Sequence, residues 1–361
     1  MPSPAVQLET LRLSDFRNIE RLVLAPGSRF NVVAGRNGSG KTNLLEAIYL
    51  TGALRSFRTS TTSDLVRHGV AQAGITAVFG GADVGLLCEV RLGADGRRIR
   101  VDGKAPRTDG GHFRALPMVL FHPGHMELVQ GGPDARRRFI DRALYQADQG
   151  YPAEHRAYQR ALASRNKLLK GAAADGRALA AFEAQLVAHG ALVVAARERF
   201  TEKLAPLFAA ALAEVSAEAG GGLSYEPNAR DAAALAARLE AGRAGDIARG
   251  FTTCGPHADD LELVVKGRSA RRFASQGQQR TAVLALKIAE TRALAAATGR
   301  TPLMLLDDVS SELDDARNAS LLAFLADVGG QVFITTTHPK HVIVEGERVD
   351  FAVEDGAVRR A

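Results

Sequence analysis

Apolar positions alternate with polar ones at both ends of the chain and recur at helical spacing through its middle. Leu8, Leu11, Leu13 and Phe16, followed by Leu22 to Leu24, predict two short strands joined near Arg17 and Asn18. Arg29 to Ala34 is a third, more continuously apolar strand that runs into a glycine loop, and a helix is expected from Thr42 to about Leu50. Gly74 to Phe79, Val84 to Leu92 and Arg97 to Val101 read as an antiparallel meander, with Ala94-Asp95-Gly96 as a turn. Pro117 to Phe121 is one more apolar strand.

From about Pro133 to Leu239 the chain is Ala-rich and studded with Arg and Glu, with apolar residues such as Tyr158, Leu162 and Leu169 at helical intervals. Gly171 to Gly176 and Gly220 to Gly222 are the expected breaks in this helical region, and no heptad runs long enough for an extended coiled coil. Strand and helix then alternate again: Leu261 to Val265, a helix from Gln278 to Ala297 ended by Gly299 and Pro302, and strands at Leu303 to Leu306 and Gln331 to Thr335. The pattern predicts an α/β chain split by a helical lobe, with N-terminal and C-terminal halves at 1–130 and 246–361 and the insertion at 131–245.

The glycine loop carries candidate chemistry. Gly35-Arg36-Asn37-Gly38-Ser39-Gly40-Lys41-Thr42 fits GxxxxGK[ST], between an apolar strand and a helix. Its glycines let backbone N–H groups turn inward around a phosphate chain, Lys41 supplies a point charge, and Thr42 offers a hydroxyl to Mg²⁺. The following helix adds its positive dipole end.

A second apolar strand, Leu303 to Leu306, ends in Asp307-Asp308. In a P-loop enzyme the first acid holds Mg²⁺ and the second orients or deprotonates the attacking water, although two acids at a strand end also serve as a helix cap or solvated turn. Ser275-Gln276-Gly277-Gln278-Gln279-Arg280 opens a helix 32 residues earlier, where a serine, a glycine and free helix N–H groups make a second anion site or an ordinary N-cap. Ser311-Glu312-Leu313-Asp314 follows the acids, and His338 ends the last apolar strand, within reach of a γ-phosphate if that strand neighbours Asp307.

Composition narrows the classes. With 46% apolar and 24% charged residues over 361 positions, disorder and fibre are excluded. Lys and Arg exceed Asp and Glu by 46 to 40, a surplus of six that permits a polyanionic partner without establishing one. Only eight of those 46 are lysine, a skew that genome composition produces as readily as phosphate recognition. Cys88 and Cys254 form neither a disulfide framework nor a metal pair. The N-terminus lacks a signal-peptide pattern, and Glu183, Gln185 and His189 interrupt the most apolar stretch, so a cytoplasmic protein with no membrane span is expected.

The order of phosphate loop, SxGQ-type helix, acidic strand, SELD turn and terminal histidine resembles the SMC-class ABC-type ATPases. More narrowly, it resembles the RecF family of bacterial recombination-repair proteins. The closer likeness rests on Asp15-Phe16-Arg17-Asn18, Asn43 to Ile48, Arg55-Ser56-Phe57-Arg58, Arg136 to Asp141, Gly255-Pro256-His257, Ser275 to Arg280 and Leu306 to Asp314. It implies an ABC-type ATPase head with a mixed sheet, and Mg-ATP held by Lys41, Thr42 and Asp307. Asp308 stands where many relatives have glutamate. It also implies a homodimer that closes on ATP, with Ser275, Gly277 and Gln278 facing the partner's phosphate loop. Weak DNA-stimulated ATPase activity, binding to gapped DNA at single-strand/duplex junctions, RecA loading with RecO and RecR, replication restart and an SOS role follow from the same likeness. The chain departs from the family pattern in two places. His122-Pro123-Gly124-His125 replaces Ser-Pro-Glu-Asp, and Ala258 replaces the arginine of Gly-Pro-His-Arg-Asp-Asp.

A basic cluster at the start of the helical lobe, with Arg136, Arg137, Arg138, Arg156, Arg160, Arg165 and Lys167, is the candidate contact to DNA phosphates. The same residues read equally as a solvated helix face, or, for Arg136 to Arg138, as braces against the ATPase sheet. Few aromatics interleave them, so base stacking is not expected. Two other classes share the nucleotide chemistry: a transporter's nucleotide-binding subunit, disfavoured by the basic helical insertion, and a scaffold that binds ATP without hydrolysing it.

Overall fold

The computed structural model describes residues 5–81, 85–106, 111–171, 176–216, 220–308 and 314–361. Strands β1 (Gln7–Phe16) and β2 (Ile19–Leu24) form an antiparallel hairpin whose turn puts Asp15 and Arg17 at φ 50° and 54°. Strand β3 (Phe30–Ala34) feeds the glycine loop and helix α1 (Lys41–Ala53). Strands β4 (Gln72–Gly80), β5 (Leu86–Gly93) and β6 (Gly96–Val101) make the expected meander, except that its proposed start at Val84 lies outside the described residues. They join the hairpin in an antiparallel sheet of order β2-β1-β4-β5-β6.

After helix α2 (Gly111–Ala115), strand β7 (Met118–Phe121) and helix α3 (Glu127–Gln130), the chain leaves the sheet that β3 and β7 share. Three helices follow: α4 (Pro133–Ala147), α5 (Tyr151–Leu169) and α6 (Gly176–Val215). Of the break expected at Gly171 to Gly176, residues 172–175 lie outside the described residues. Helix α6 runs 40 residues through Pro206 and is long and apolar enough to cross a membrane by length and composition. Leu179, Leu186, Val193 and Phe200, seven residues apart, are buried, and the helix packs on α5 and on α9 below.

Strand β8 (Gly222–Glu226) precedes helix α7 (Ala232–Arg249) and pairs with strand β9 (Asp260–Val265), which also pairs with β10 (Arg268–Ser269). The break expected at Gly220 to Gly222 falls between α6 and α7, where Gly222 also opens β8, and the expected boundary at 245 falls inside α7. Residues 222–269 tie the insertion into a small sheet of their own.

Helix α8 (Ala270–Phe273) leads into α9 (Gln276–Thr298), which Gly299 ends at φ 68°. The remaining elements are β11 (Leu303–Asp307), α10 (Asp315–Val328), β12 (Val332–Thr336), β13 (Arg348–Glu354) and β14 (Ala357–Arg360). They build the central sheet of order β14-β13-β3-β12-β11-β7, in which every pair except β13 with β14 is parallel.

A parallel sheet is covered on both faces, which is why β3, β7, β11 and β12 are almost wholly buried and mostly apolar, whereas β13 alternates. Phe30, Val32, Val119, Phe121, Met304, Leu306, Val332 and Ile334 point into the core shared with the helical lobe. Val33, Met118, Leu120, Leu303, Leu305 and Phe333 point into the core shared with α1 and the antiparallel sheet. Because all five parallel strands run the same way, the loop after β3, the acids ending β11 and the residues after β12 emerge at one sheet edge.

Candidate functional site

At that edge Gly35 admits no side chain: a Cβ would lie 2.4 Å from the Val353 carbonyl oxygen and 2.7 Å from Ser39 Oγ. Gly38 and Gly40 hold φ 81° and 115°, the left-handed region that favours glycine. Two turns pin the loop from outside. Asn18 Nδ2 and the Gly356 amide both donate to the Ser39 carbonyl, at 3.0 and 2.8 Å. Gly356, at φ 84°, is required by its place, since a Cβ there would sit 2.1 Å from the Asn18 carbonyl oxygen.

Lys41 Nζ donates to the Gly35 and Arg36 carbonyls at 2.6 and 2.9 Å. Burial lowers its pKa, against the opposing pull of Asp308 and Asp307. Thr42 Oγ1 donates to Asp307 Oδ1 at 2.8 Å, and so does Thr335 Oγ1 on the neighbouring β12, also at 2.8 Å. The Asp308 amide donates to Thr335 Oγ1 at 2.9 Å. Burial raises the Asp307 pKa, and the two threonine hydroxyls work against that rise. Asp308 adopts φ 50°, unusual for a non-glycine residue, directly where the strand ends.

These residues fit Mg-ATP. Helix α1 begins with no side-chain cap, leaving first-turn N–H groups at the loop mouth, and the buried Ser39 Oγ has no hydrogen-bond partner. Open space lies over Gly38, while Thr42 and Asp307 present the hydroxyl and carboxylate oxygens that Mg²⁺ prefers.

Motifs distant in sequence converge behind the loop. Glu46, fully buried on α1, receives Arg17 through Nε and Nη2 at 2.9 and 2.8 Å, together with Ser56 and Arg58. His338 follows β12 and is exposed, its amide donating to Thr336 Oγ1 at 3.0 Å. Ser275 is an exposed N-cap: its hydroxyl accepts from the Gln278 amide and Gln278 Oε1 accepts from the Ser275 amide. Ser311, Glu312 and Leu313 lie outside the described residues. Asp314 caps α10, and Arg317 reaches Thr281 Oγ1 on α9 at 2.6 Å.

The basic cluster divides on inspection. Arg165 is fully buried, with Nη2 on Glu183 at 2.9 Å and Nη1 on Asp246 at 2.7 Å. Arg136 is buried and bidentate to Asp260 at 2.7 and 2.8 Å. Neither is placed to touch DNA, so that expectation is corrected: both tie the helical lobe together or to β9. Arg137 binds the Asp259 carbonyl and Asp134. Arg138, Arg160 and Lys167 are exposed and Arg156 half-buried. Sequence reasoning passed over Arg197, which is buried between Asp141 and Asp259, and Thr335. The Gly255-to-Asp260 motif is structural, since His257 Nδ1 meets the Tyr158 hydroxyl at 2.6 Å and Asp259 anchors Arg197. Ala258 is exposed beside it.

Residues 7–357, which run from β1 to the start of β14, match the family described as the RecF/RecN/SMC N-terminal domain. The chain is 44% identical over 347 residues to the DNA replication and repair protein RecF of Anaeromyxobacter dehalogenans, covering 92% of each chain. To its namesake from Geobacter sulfurreducens it is 38% identical over 364 residues, covering 98% of this chain and 99% of the other. This chain belongs to the RecF family. A solved structure of the recombination mediator protein RecF with ATP superposes with a TM-score of 0.91 at 31% identity, covering 99% of this chain and 98% of that one. The Smc head domain from Pyrococcus furiosus shares the fold alone, with a TM-score of 0.59 at 17% identity over 99% and 96% of the two chains. RecF membership confirms the ABC-type ATPase head split by a helical insertion, and it sets the transporter reading aside.

Proposed function

We propose that this RecF-family chain binds Mg-ATP at the phosphate loop, closes head to head with a second copy, and holds gapped DNA while ATP lasts. What supports this most is one cluster, Thr42, Asp307 and Thr335, gathered by three adjacent parallel strands beside Lys41. Lys41 and the first-turn amides of α1 would hold the β- and γ-phosphates. Mg²⁺ bound by Thr42 and Asp307 would neutralise charge on the phosphate oxygens. Asp308 would orient the attacking water and His338 donate to the γ-phosphate. Ser275, Gly277 and Gln278, on the exposed start of α9, would complete the site of the partner. Arg138, Arg156, Arg160 and Lys167 remain as phosphate contacts to DNA, with Arg137 at their edge. RecO and RecR as partners, RecA loading, replication restart, the SOS role and a cytoplasmic place extend the same reading.

Turnover tests it. ATP hydrolysis should be slow in the free protein, rise several-fold with gapped DNA, and vanish in Lys41→Ala together with nucleotide binding. A second reading, a scaffold that binds ATP and does not hydrolyse it, is favoured by the short Asp308 side chain where a longer base is usual. ATP binding with no phosphate release, with or without DNA, would select it.

A further inference from the structure

Helix α1 spans about 20 Å, at 1.5 Å per residue, so its C-terminal end lies far from the phosphate loop. At that far end is a cavity of about 300 Å³ between α1, β6, α4 and α5. Arg55, Arg97, Arg142 and Arg156 line it, with Tyr49 and Tyr145, and no aspartate or glutamate does. A larger cleft of about 550 Å³ shares Arg55, Arg97 and Arg142 and adds the buried Lys287, together with Glu127 and Glu290.

Arg142 is half-buried and Arg55 and Arg97 are exposed, and among the described residues none of these three has the carboxylate partner that buried arginines have elsewhere in the chain. Arg142 Nε is buried without a hydrogen bond, and neither Arg55 nor Arg97 has an ion pair among the described residues. Asp141, the carboxylate that Arg55 feels, is already engaged by Arg197 and His155. Lys287 is paired with Glu290. Burial and then Arg142 depress the Arg55 pKa, while burial and Arg55 depress that of Arg97, so the three guanidinium groups crowd one another. Crowded, partly desolvated guanidinium groups are stabilised by an anion, and their planar fork matches phosphate oxygens.

We infer that this cavity is a second anion site, separate from the ATP site, which takes a phosphate-bearing ligand of mononucleotide size. The phosphate belongs either to the end of a nucleic-acid strand or to a free nucleotide. The strand source rests on the DNA-binding function proposed above; the free-nucleotide source does not.

The test uses the full chain carrying Lys41→Ala to silence the phosphate loop. The probes are a fluorescent single-stranded oligonucleotide bearing a 5′-phosphate, the same strand without it, and AMP. Arg142→Gln and Arg97→Gln should each weaken binding of the phosphorylated strand or of AMP about tenfold, the loss of one charge-assisted hydrogen bond. Arg97 lies on an exposed strand, so its replacement keeps the test valid if Arg142→Gln unfolds. Binding of AMP identifies a free nucleotide, and a preference for the 5′-phosphate without AMP binding identifies a strand end. Unchanged affinity of both variants for every probe overturns the site. If it falls while DNA still binds the parent protein in a salt-dependent way, the function proposed above stands without it.

Discussion

Arg165 and Arg160 lie five positions apart on the same helix and have opposite lives. Arg165 is closed in by Glu183, Asp246 and Thr252, while Arg160 faces solvent. Nothing in the residue type separates them, because the partners that bury Arg165 come from positions 18, 81 and 87 residues away. Arg165→Gln should therefore destabilise the fold by about 3–5 kcal/mol, since it leaves the buried Asp246 without its cation while Glu183 keeps only Arg243. Arg160→Ala should leave the melting temperature nearly unchanged and reduce the salt slope of DNA affinity by about one. Thermal melts and salt titrations of the two variants check this; equal effects on stability would contradict the division. Ser275 teaches the reverse lesson. Its N-cap reading holds within the chain, and the exposed hydroxyl remains available to a second copy.

At the scale of elements, the phosphate loop and the strands on either side of it were legible because spacing and apolar runs specify them locally. Strands β13 and β14 were missed although Val349, Phe351 and Val353 alternate into the core, and with them went Gly356, which pins the loop. Thr335 was invisible as a site residue for another reason: only the parallel register of β12 on β11 brings it to Asp307. The turn at residues 122–125 illustrates an element whose chemistry changed. His122 and His125 cap their own turn, with Gly124 N–H donating to His122 Nδ1 and His122 N–H to His125 Nδ1. Burial, then Lys287 and Arg142, holds His122 down to about 4, and His125 is lowered as well by burial and Lys287. The unfolded chain takes up the His122 proton near pH 6.5 and the folded chain only near 4, so its contribution to stability is complete above 6.5 and lost as pH falls towards 4, and the lowered His125 acts in the same direction. The melting temperature should decline across that window, and His122→Asn, which keeps an acceptor for the Gly124 amide, should flatten the decline. An identical slope in wild type and variant would count against the turn as its source.

For the whole molecule, the surplus of six positive charges says less than where the cations are used. Arg136, Arg165 and Arg197 are consumed inside, holding the insertion together and to β9, so the lobe is braced by ion pairs on an apolar core that it shares with the ATPase sheet. In the proposed dimer the exposed start of α9 and the phosphate loop would be two halves of one site, completed by a second copy. Analytical ultracentrifugation of the wild type, Lys41→Ala and Ser275→Ala, each with and without Mg-ATP, tests that claim most directly. The account predicts that Mg-ATP converts the wild type to a dimer, that Lys41→Ala stays monomeric for want of nucleotide, and that Ser275→Ala binds ATP yet stays monomeric. A wild type that remains monomeric with Mg-ATP bound, or a Ser275→Ala variant that dimerises as well as the wild type, would contradict it.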